Sequence, residues 1–310
     1  MISYWQIIST GLLPIQTFKK GAVVSVTSPT EEEKDIIKST FDIPDDIILD
    51  IMDVDERSRL EIENDKIVMI LRIPILSTEN GIPFSTIPLG IIISDDYILV
   101  LCQRENTVLS EFFNHRRRKS FDYKNKTDFI LNLFLHTTNM YHRYLRQINF
   151  QTNMVEKDLE KSTKNEELHK LLKLEKCLVY FTTSLRSNEF LFARFKTSRF
   201  LKTNEYSEEL LEDVLIENKQ AIEMANIYSD IQSGMMDAFA SVISNNLNFV
   251  MKQLTIVTII LAIPTMIASF YGMNVPNQFE NKNFAFVSII GFSAILALIG
   301  IFVIRKRRWI

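Results

Sequence analysis

From Gln253 to Ile304 the chain carries only two charged residues, Glu280 and Lys282, although charged side chains are spread through everything from its start to Lys252. The overall figures hide this: 310 residues, 46% hydrophobic, 24% charged and a net charge of −3, describe an ordinary globular protein. Within the tail, Leu254 to Tyr271 and the 21 residues from Phe284 to Ile304 are uncharged. About 20 apolar residues in a helix cross a hydrocarbon core of ~30 Å. The second run spans comfortably. The first is short alone but is extended by Gln253, by the uncharged stretch from Gly272 to Phe279, and by a helix that begins far upstream. A buried hairpin of a soluble protein would need both helices walled in on all sides, so two transmembrane helices are expected.

Arg305, Lys306, Arg307 and Arg308 follow the second span directly, with Trp309 suited to an interface. The excess of basic residues on cytoplasmic flanks puts the C-terminus inside. With two spans the N-terminal part is cytoplasmic too, which agrees with the lack of a signal peptide pattern from Met1 to Lys20. A multi-pass protein of the cell membrane is expected, with membrane lipid as its surroundings and only the loop at 272–283 outside. Cys102 and Cys177 lie on the cytoplasmic side, where buried thiols rather than a disulfide are expected.

Six of the eight prolines fall between Pro14 and Pro88, none follows until Pro264, and Gly234 is the only glycine from Ile91 to Tyr271. Such an interval without breakers means long helices. Before it, Ala22 to Val26, Lys66 to Ile75, Ile87 to Ser94 and Tyr97 to Cys102 read as strands, with turns at Glu79-Asn80-Gly81 and Ser94-Asp95-Asp96. Thr30 before Glu31-Glu32-Glu33 marks a helix start. The chain therefore divides into an α/β domain at 1–120, a helical hairpin at 121–206 with helices from Thr127 to about Lys161 and Glu166 to about Ser187, and a stalk helix running into the first span at 207–271. The external loop at 272–283, the second span at 284–304 and a basic tail at 305–310 complete an α+β membrane protein. Read literally, the stalk helix has 64 residues and is roughly 95 Å long. Its apolar face needs neighbouring stalks.

One pair of transmembrane helices encloses no aqueous path, so transport requires several copies around an axis. The first span, continuous with the stalk, is the natural lining. At about 100° per residue, Asp237, Asn248, Met251, Leu254, Thr258, Ala262 and Thr265 share an arc of about 120°. Tyr271-Gly272-Met273-Asn274 stands at its outer end.

Those letters, between two terminal spans and ahead of a basic tail, resemble the CorA family of magnesium and cobalt transporters with their Gly-Met-Asn motif. The likeness covers essentially the whole chain and extends to Met236-Asp237 and to the stretch from Asn248 to Thr255. It implies a funnel-shaped homopentamer; separately, a chain that is acidic overall is expected to have no nucleic-acid partner. Asn274, with Gly272 and Met273, would form the outer cation site, Met251 and Leu254 a hydrophobic gate, and Asp237, Asn248 and Thr265 pore-facing positions. Asp50 in Leu49-Asp50-Ile51-Met52 and Asp213 in Glu212-Asp213-Val214 resemble the family's intersubunit carboxylate pair, implied to bind regulatory Mg2+. Carboxylates crowded across a boundary repel until a cation bridges them. The loop departs from the family's common Met-Pro-Glu-Leu: here it reads Val275-Pro276-Asn277-Gln278-Phe279-Glu280-Asn281, with Glu280 at the mouth.

All four histidines, His115, His136, His142 and His169, lie upstream of the spans, which also lack carboxylates and cysteine. A soft metal such as zinc would want those ligands. Neutral oxygens suit a hard ion that keeps its water, so Mg2+ is expected, with Co2+ and Ni2+ hydrates close enough in size to share the path. Without a phosphate-binding loop the drive is the membrane potential, worth roughly 4.6 kcal/mol for a divalent cation at −100 mV. Two alternatives remain: a zinc or proton-coupled transporter on the same scaffold, and a membrane-anchored sensor. Enzyme activity has no support, since no nucleophile and base fall into a recognisable constellation. The cluster His115-Arg116-Arg117-Arg118-Lys119 reads as a helix cap or solvated face rather than a nucleic-acid site.

Overall fold

The apolar runs of the N-terminal third become the middle of one sheet. Its strands are β1 (Ile2–Ile8), β2 (Gly11–Ile15), β3 (Ala22–Thr27), β4 (Arg59–Glu63), β5 (Lys66–Leu76), β6 (Phe84–Ile93) and β7 (Tyr97–Cys102), in the order β2-β1-β3-β7-β6-β5-β4. Only β3 and β7 pair in parallel; the other neighbours are antiparallel. The computed structural model describes residues 1–8, 11–63, 66–114, 125–161, 165–273 and 284–306. Contacts divide the chain into two compact units, Met1–Met236 and Asp237–Ile310.

In the first unit both faces of the sheet are covered, which is why its central strands read as unbroken apolar runs instead of alternating ones. Along β7, Tyr97, Leu99 and Leu101 enter one core with α1 (Glu31–Phe41) and α2 (Asp45–Met52). Ile98, Val100 and Cys102 enter the other, with α3 (Thr107–Asn114), α4 (Lys126–Lys161) and α5 (Asn165–Thr197). After the short α6 (Arg199–Thr203), the first turns of α7 (Glu208–Tyr271) close this second core with Leu211, Val214, Ala221, Ile222 and Ala225. The start of α1 is a capping box: Thr30 Oγ1 accepts from the Glu33 amide at 3.2 Å, and the Thr30 amide donates to Glu33 at 3.1 Å. Both cysteines are buried and free, and burial pushes each thiol up to about 11.

The strands absent from the sequence reading are the two edges, β2 and β4, and β1, which lies next to an edge. β2 carries Pro14, which an edge tolerates, and β4 places Arg59, Glu61 and Glu63 on its exposed rim. Helix α5 also runs ten residues past Ser187, to Thr197. The reason is Asn188, only 1% exposed, which takes the place of a strand where β4 has stopped. Its carboxamide accepts from the Arg72 amide at 3.0 Å and donates to the Arg72 carbonyl at 2.8 Å. The Arg72 side chain closes the same seam. Its guanidinium donates to the carbonyls of Val54 (2.8 Å), Glu56 (2.6 Å) and Thr86 (2.9 Å), and to the hydroxyls of Ser184 (3.0 Å) and Thr86 (2.9 Å). Tyr141 donates to the Arg72 carbonyl at 3.0 Å.

Helix α2 sits directly on β6 because position 90 has no side chain. A Cβ on Gly90 would lie 2.2 Å from Ile51 Cδ1 and 2.7 Å from Ile51 Cγ1. Overpacking of this kind costs about 1–3 kcal/mol, so Gly90→Ala is expected to lower the thermal midpoint of the full-length protein by several degrees. A melt followed by circular dichroism in detergent checks this, and an unchanged midpoint would mean that α2 shifts freely.

In the second unit α7 continues unbroken through Pro264, and α8 covers Ala285–Lys306. Among the described residues two helices are long and apolar enough to cross a membrane, Glu208–Tyr271 and Phe286–Val303, and only 6% of each apolar window is buried by the chain itself. The hairpin of a soluble protein would be walled in; this one is not.

Candidate functional site

On the last part of α7, the positions with reduced exposure are Ile256, Ile260, Ile263, Pro264, Ile267 and Tyr271. They recur at helical spacing and mark the side toward α8: Ile263 Cδ1 would lie 3.6 Å from a Cβ on Gly300, and Pro264, Ala268 and Tyr271 share a groove with Ile289, Ile290 and Ser293. By the same 100° step, the arc of Asp237, Asn248, Met251, Leu254, Thr258, Ala262 and Thr265 lies on roughly the opposite side. All seven are exposed, Met251 at 53% and Leu254 at 60%. Thr255 falls on this arc as well and escaped the sequence reading, although its spacing from Met251 was visible there.

The hydroxyls on the arc are oriented by their own helix. Thr255, Thr258 and Thr265 each donate to the carbonyl four residues back, Met251, Leu254 and Leu261, at 2.8 Å. Helix α7 ends at Tyr271, where the Gly272 amide still donates to the Ala268 carbonyl at 2.9 Å; Gly272 and Met273 are exposed. Asn274 and Glu280 lie outside the described residues, as do the His115–Lys119 cluster, Arg307, Arg308 and Trp309.

In the first unit Asp213 is exposed on α7, and Asp50, 41% exposed, stands in the last turn of α2. No interaction joins the two within the chain among the described residues. Asp50 instead receives Arg59 Nη2 at 2.5 Å; Arg59 also pairs through Nη1 with Glu56 and through Nε with Glu61 at 2.9 Å. Burial opposes the charged form of Arg59, but the hydrogen bond to Asp50 and the fields of Glu56 and Glu61 hold its guanidinium above the ordinary value. This hub was not read from the sequence. The alternation in Arg59-Leu60-Glu61 was its only signal, and that puts the first and third on one face without saying that α2 ends beside them. Among the described residues no group of three histidine, cysteine or carboxylate side chains could hold a metal within one chain.

Residues 22–306 match the family described as CorA-like Mg2+ transporter protein. The chain belongs to the CorA family. A cobalt/magnesium transport protein CorA of Methanocaldococcus jannaschii is 26% identical over 263 residues, 84% of this chain and 82% of the relative. One from Thermotoga maritima is 22% identical, over 85% of this chain and 76% of its own length. The solved structure of the complete CorA magnesium transporter of M. jannaschii superposes over 100% of this chain and 99% of its own, with a TM-score of 0.84 at 24% identity, a likeness of fold.

For a CorA-family chain the exposure of the α7 arc has a chemical reading. Leu254 and Met251 cannot remain in water for free: burying such side chains is worth about 1.5–3 kcal/mol each. Within the span the arc adds only the neutral hydroxyls of Thr255, Thr258 and Thr265, which can accept hydrogen bonds but offer no charge or soft donor for direct ligation of zinc; its one carboxylate, Asp237, lies well before the span.

Proposed function

We propose that this chain forms a funnel-shaped homopentamer that admits hydrated Mg2+ into the cell along the five α7 helices, with Co2+ and Ni2+ able to share the path. The observation that carries the reading is the arc on α7: uncovered in one chain, turned away from α8, with oxygen-bearing residues at its ends and Met251 and Leu254 between. Asn274, with Gly272 and Met273, forms the outer site, and Glu280 attracts cations to the mouth. The ion passes Thr265, Ala262 and Thr258, crosses the constriction at Leu254 and Met251, and leaves past Asn248 and Asp237. Residues 1–206 lie in the cytoplasm, 207–271 form the stalk and inner span, 272–283 the outer loop and 284–304 the outer span in the plasma membrane. The tail at 305–310 returns to the cytoplasm. The complex works as a conductor and not as an enzyme.

The membrane potential supplies the drive, and cytoplasmic Mg2+ bound between Asp50 of one subunit and Asp213 of the next holds the ring closed. Neither carboxylate has the other as an internal partner, which suits a pair completed only across a boundary. Ion flux through purified protein in liposomes tests the whole reading. Uptake is expected when internal Mg2+ is low and the inside is negative, and strong suppression when internal Mg2+ is raised to millimolar levels. Zn2+ should compete poorly. Absence of flux at low internal Mg2+ would leave the spans as anchors of a sensor, and stronger competition by Zn2+ than by Co2+ would favour a zinc transporter.

A further inference from the structure

Arg59 occupies one of the two carboxylates to which the proposed function gives regulatory Mg2+. Among the described residues it is the one cation paired with Asp50, and it meets Asp50 Oδ2 at 2.5 Å. Its fork has three branches, and each ends on a carboxylate of a different element: Asp50 at the end of α2, Glu56 in the connection, Glu61 on β4. The arginine is anchored on the strand beside Leu60, which packs into the opposite core, so its base is fixed while its tip is held by charge.

We propose that Arg59 is a tethered counter-cation that holds Asp50 in the metal-free protein and competes with Mg2+ for it, setting the cytoplasmic Mg2+ concentration at which the ring closes. This rests on the reading of Asp50 as a regulatory ligand and adds to it the group that opposes the metal. The geometry makes the exchange cheap on one side. When Mg2+ takes Asp50, Arg59 keeps Glu56 and Glu61, so no guanidinium is left unpaired. Asp50 is 41% exposed, enough for water and a hydrated ion to reach it. An ion arriving at Asp50 meets the positive guanidinium on the same carboxylate, so it must either displace the Nη2 donor from Oδ2 or bear its repulsion from Oδ1, and both oppose binding. Reducing the arginine's hold on Asp50 must therefore tighten Mg2+, and the effect is bounded because pairs this exposed are screened by solvent.

The test is Mg2+ protection of the purified full-length oligomer against limited proteolysis, titrated in detergent. Wild type is compared with Asp50→Asn, Arg59→Gln and Arg59→Lys, each also melted by circular dichroism to verify folding. Asp50→Asn is expected to abolish Mg2+ protection; if it keeps the wild-type midpoint, the reading of Asp50 itself is wrong. With that reading upheld, Arg59→Gln is expected to move the midpoint to about fivefold lower Mg2+, the size of one exposed ion pair. Arg59→Lys, which keeps the charge but loses the fork, is expected between the two and serves as the decisive variant should the glutamine form not fold. A midpoint unchanged or raised in the folded Arg59 variants overturns the competition while leaving the Asp50 site standing.

Discussion

Asn274→Ala is expected to bring Mg2+ uptake in a transport-deficient cell down to background. The residue follows the end of α7 at Tyr271-Gly272-Met273, the place where a conducting ring would first meet the ion. Because the proposed assembly repeats every residue five times, one substitution strips the whole ring of its amide oxygens. A neutral hydrogen bond contributes about 0.5–1.5 kcal/mol. Losing one from every subunit removes about 2.5 kcal/mol or more, which lowers occupancy of the outer site well over tenfold. Radiotracer uptake with expression matched by immunoblot measures it, and uptake at the wild-type level would remove Asn274 from the path.

The second large effect concerns the soluble unit. Arg72→Met keeps the length and the apolar stem of the side chain but withdraws the donors shared by Val54, Glu56, Thr86 and Ser184. Burial already pulls the Arg72 guanidinium below its ordinary value, so the arginine is retained against a desolvation cost by the acceptors around it. Each buried acceptor left without a donor costs about 1–3 kcal/mol. A loss of about 3 kcal/mol or more, or roughly 6–12 °C in the thermal midpoint, follows for a unit of this size. The Val54 to Glu56 connection would come loose first, and Arg59 and Asp50 lie at its two ends. A melt within about 2 °C of wild type would show that water replaces the guanidinium without penalty.

Much of the fold was legible in the order of residues, and the reasons differ by element. Helix α7 could be read because nothing between Ser207 and Pro264 except Gly234 breaks a helix, and a proline buried in lipid does not end one. β3 and β5 to β7 could be read because strands covered on both faces are apolar throughout. β1, with Trp5 and Gln6 among its apolar residues, and β4, with charges at alternate positions, carry the mixed pattern of strands at or next to an edge, which is also the pattern of a loop. The last ten residues of α5 lie beyond the helix end expected at Ser187, and the pairing of Asn188 with Arg72 that anchors their start joins positions far apart in the chain. At the candidate site, the seven members of the α7 arc follow from helical spacing alone. Which side α8 covers does not, since α8 is apolar all round. The partnership of Asp50 with Arg59 depends on how the chain turns between α2 and β4, and a separation of nine positions encodes no such turn.

The backward-pointing threonine hydroxyls of α7 bear on the sign of the ion. With each hydrogen engaged by a carbonyl of its own helix, Thr255, Thr258 and Thr265 have only lone pairs to present to the proposed axis. The shell of a hydrated cation turns its water hydrogens outward and meets those lone pairs favourably. A chloride ion orients its shell the other way and would find oxygen facing oxygen. Rejection of anions would then come from the direction in which hydroxyl groups point, in a stretch of the path that carries no formal charge at all.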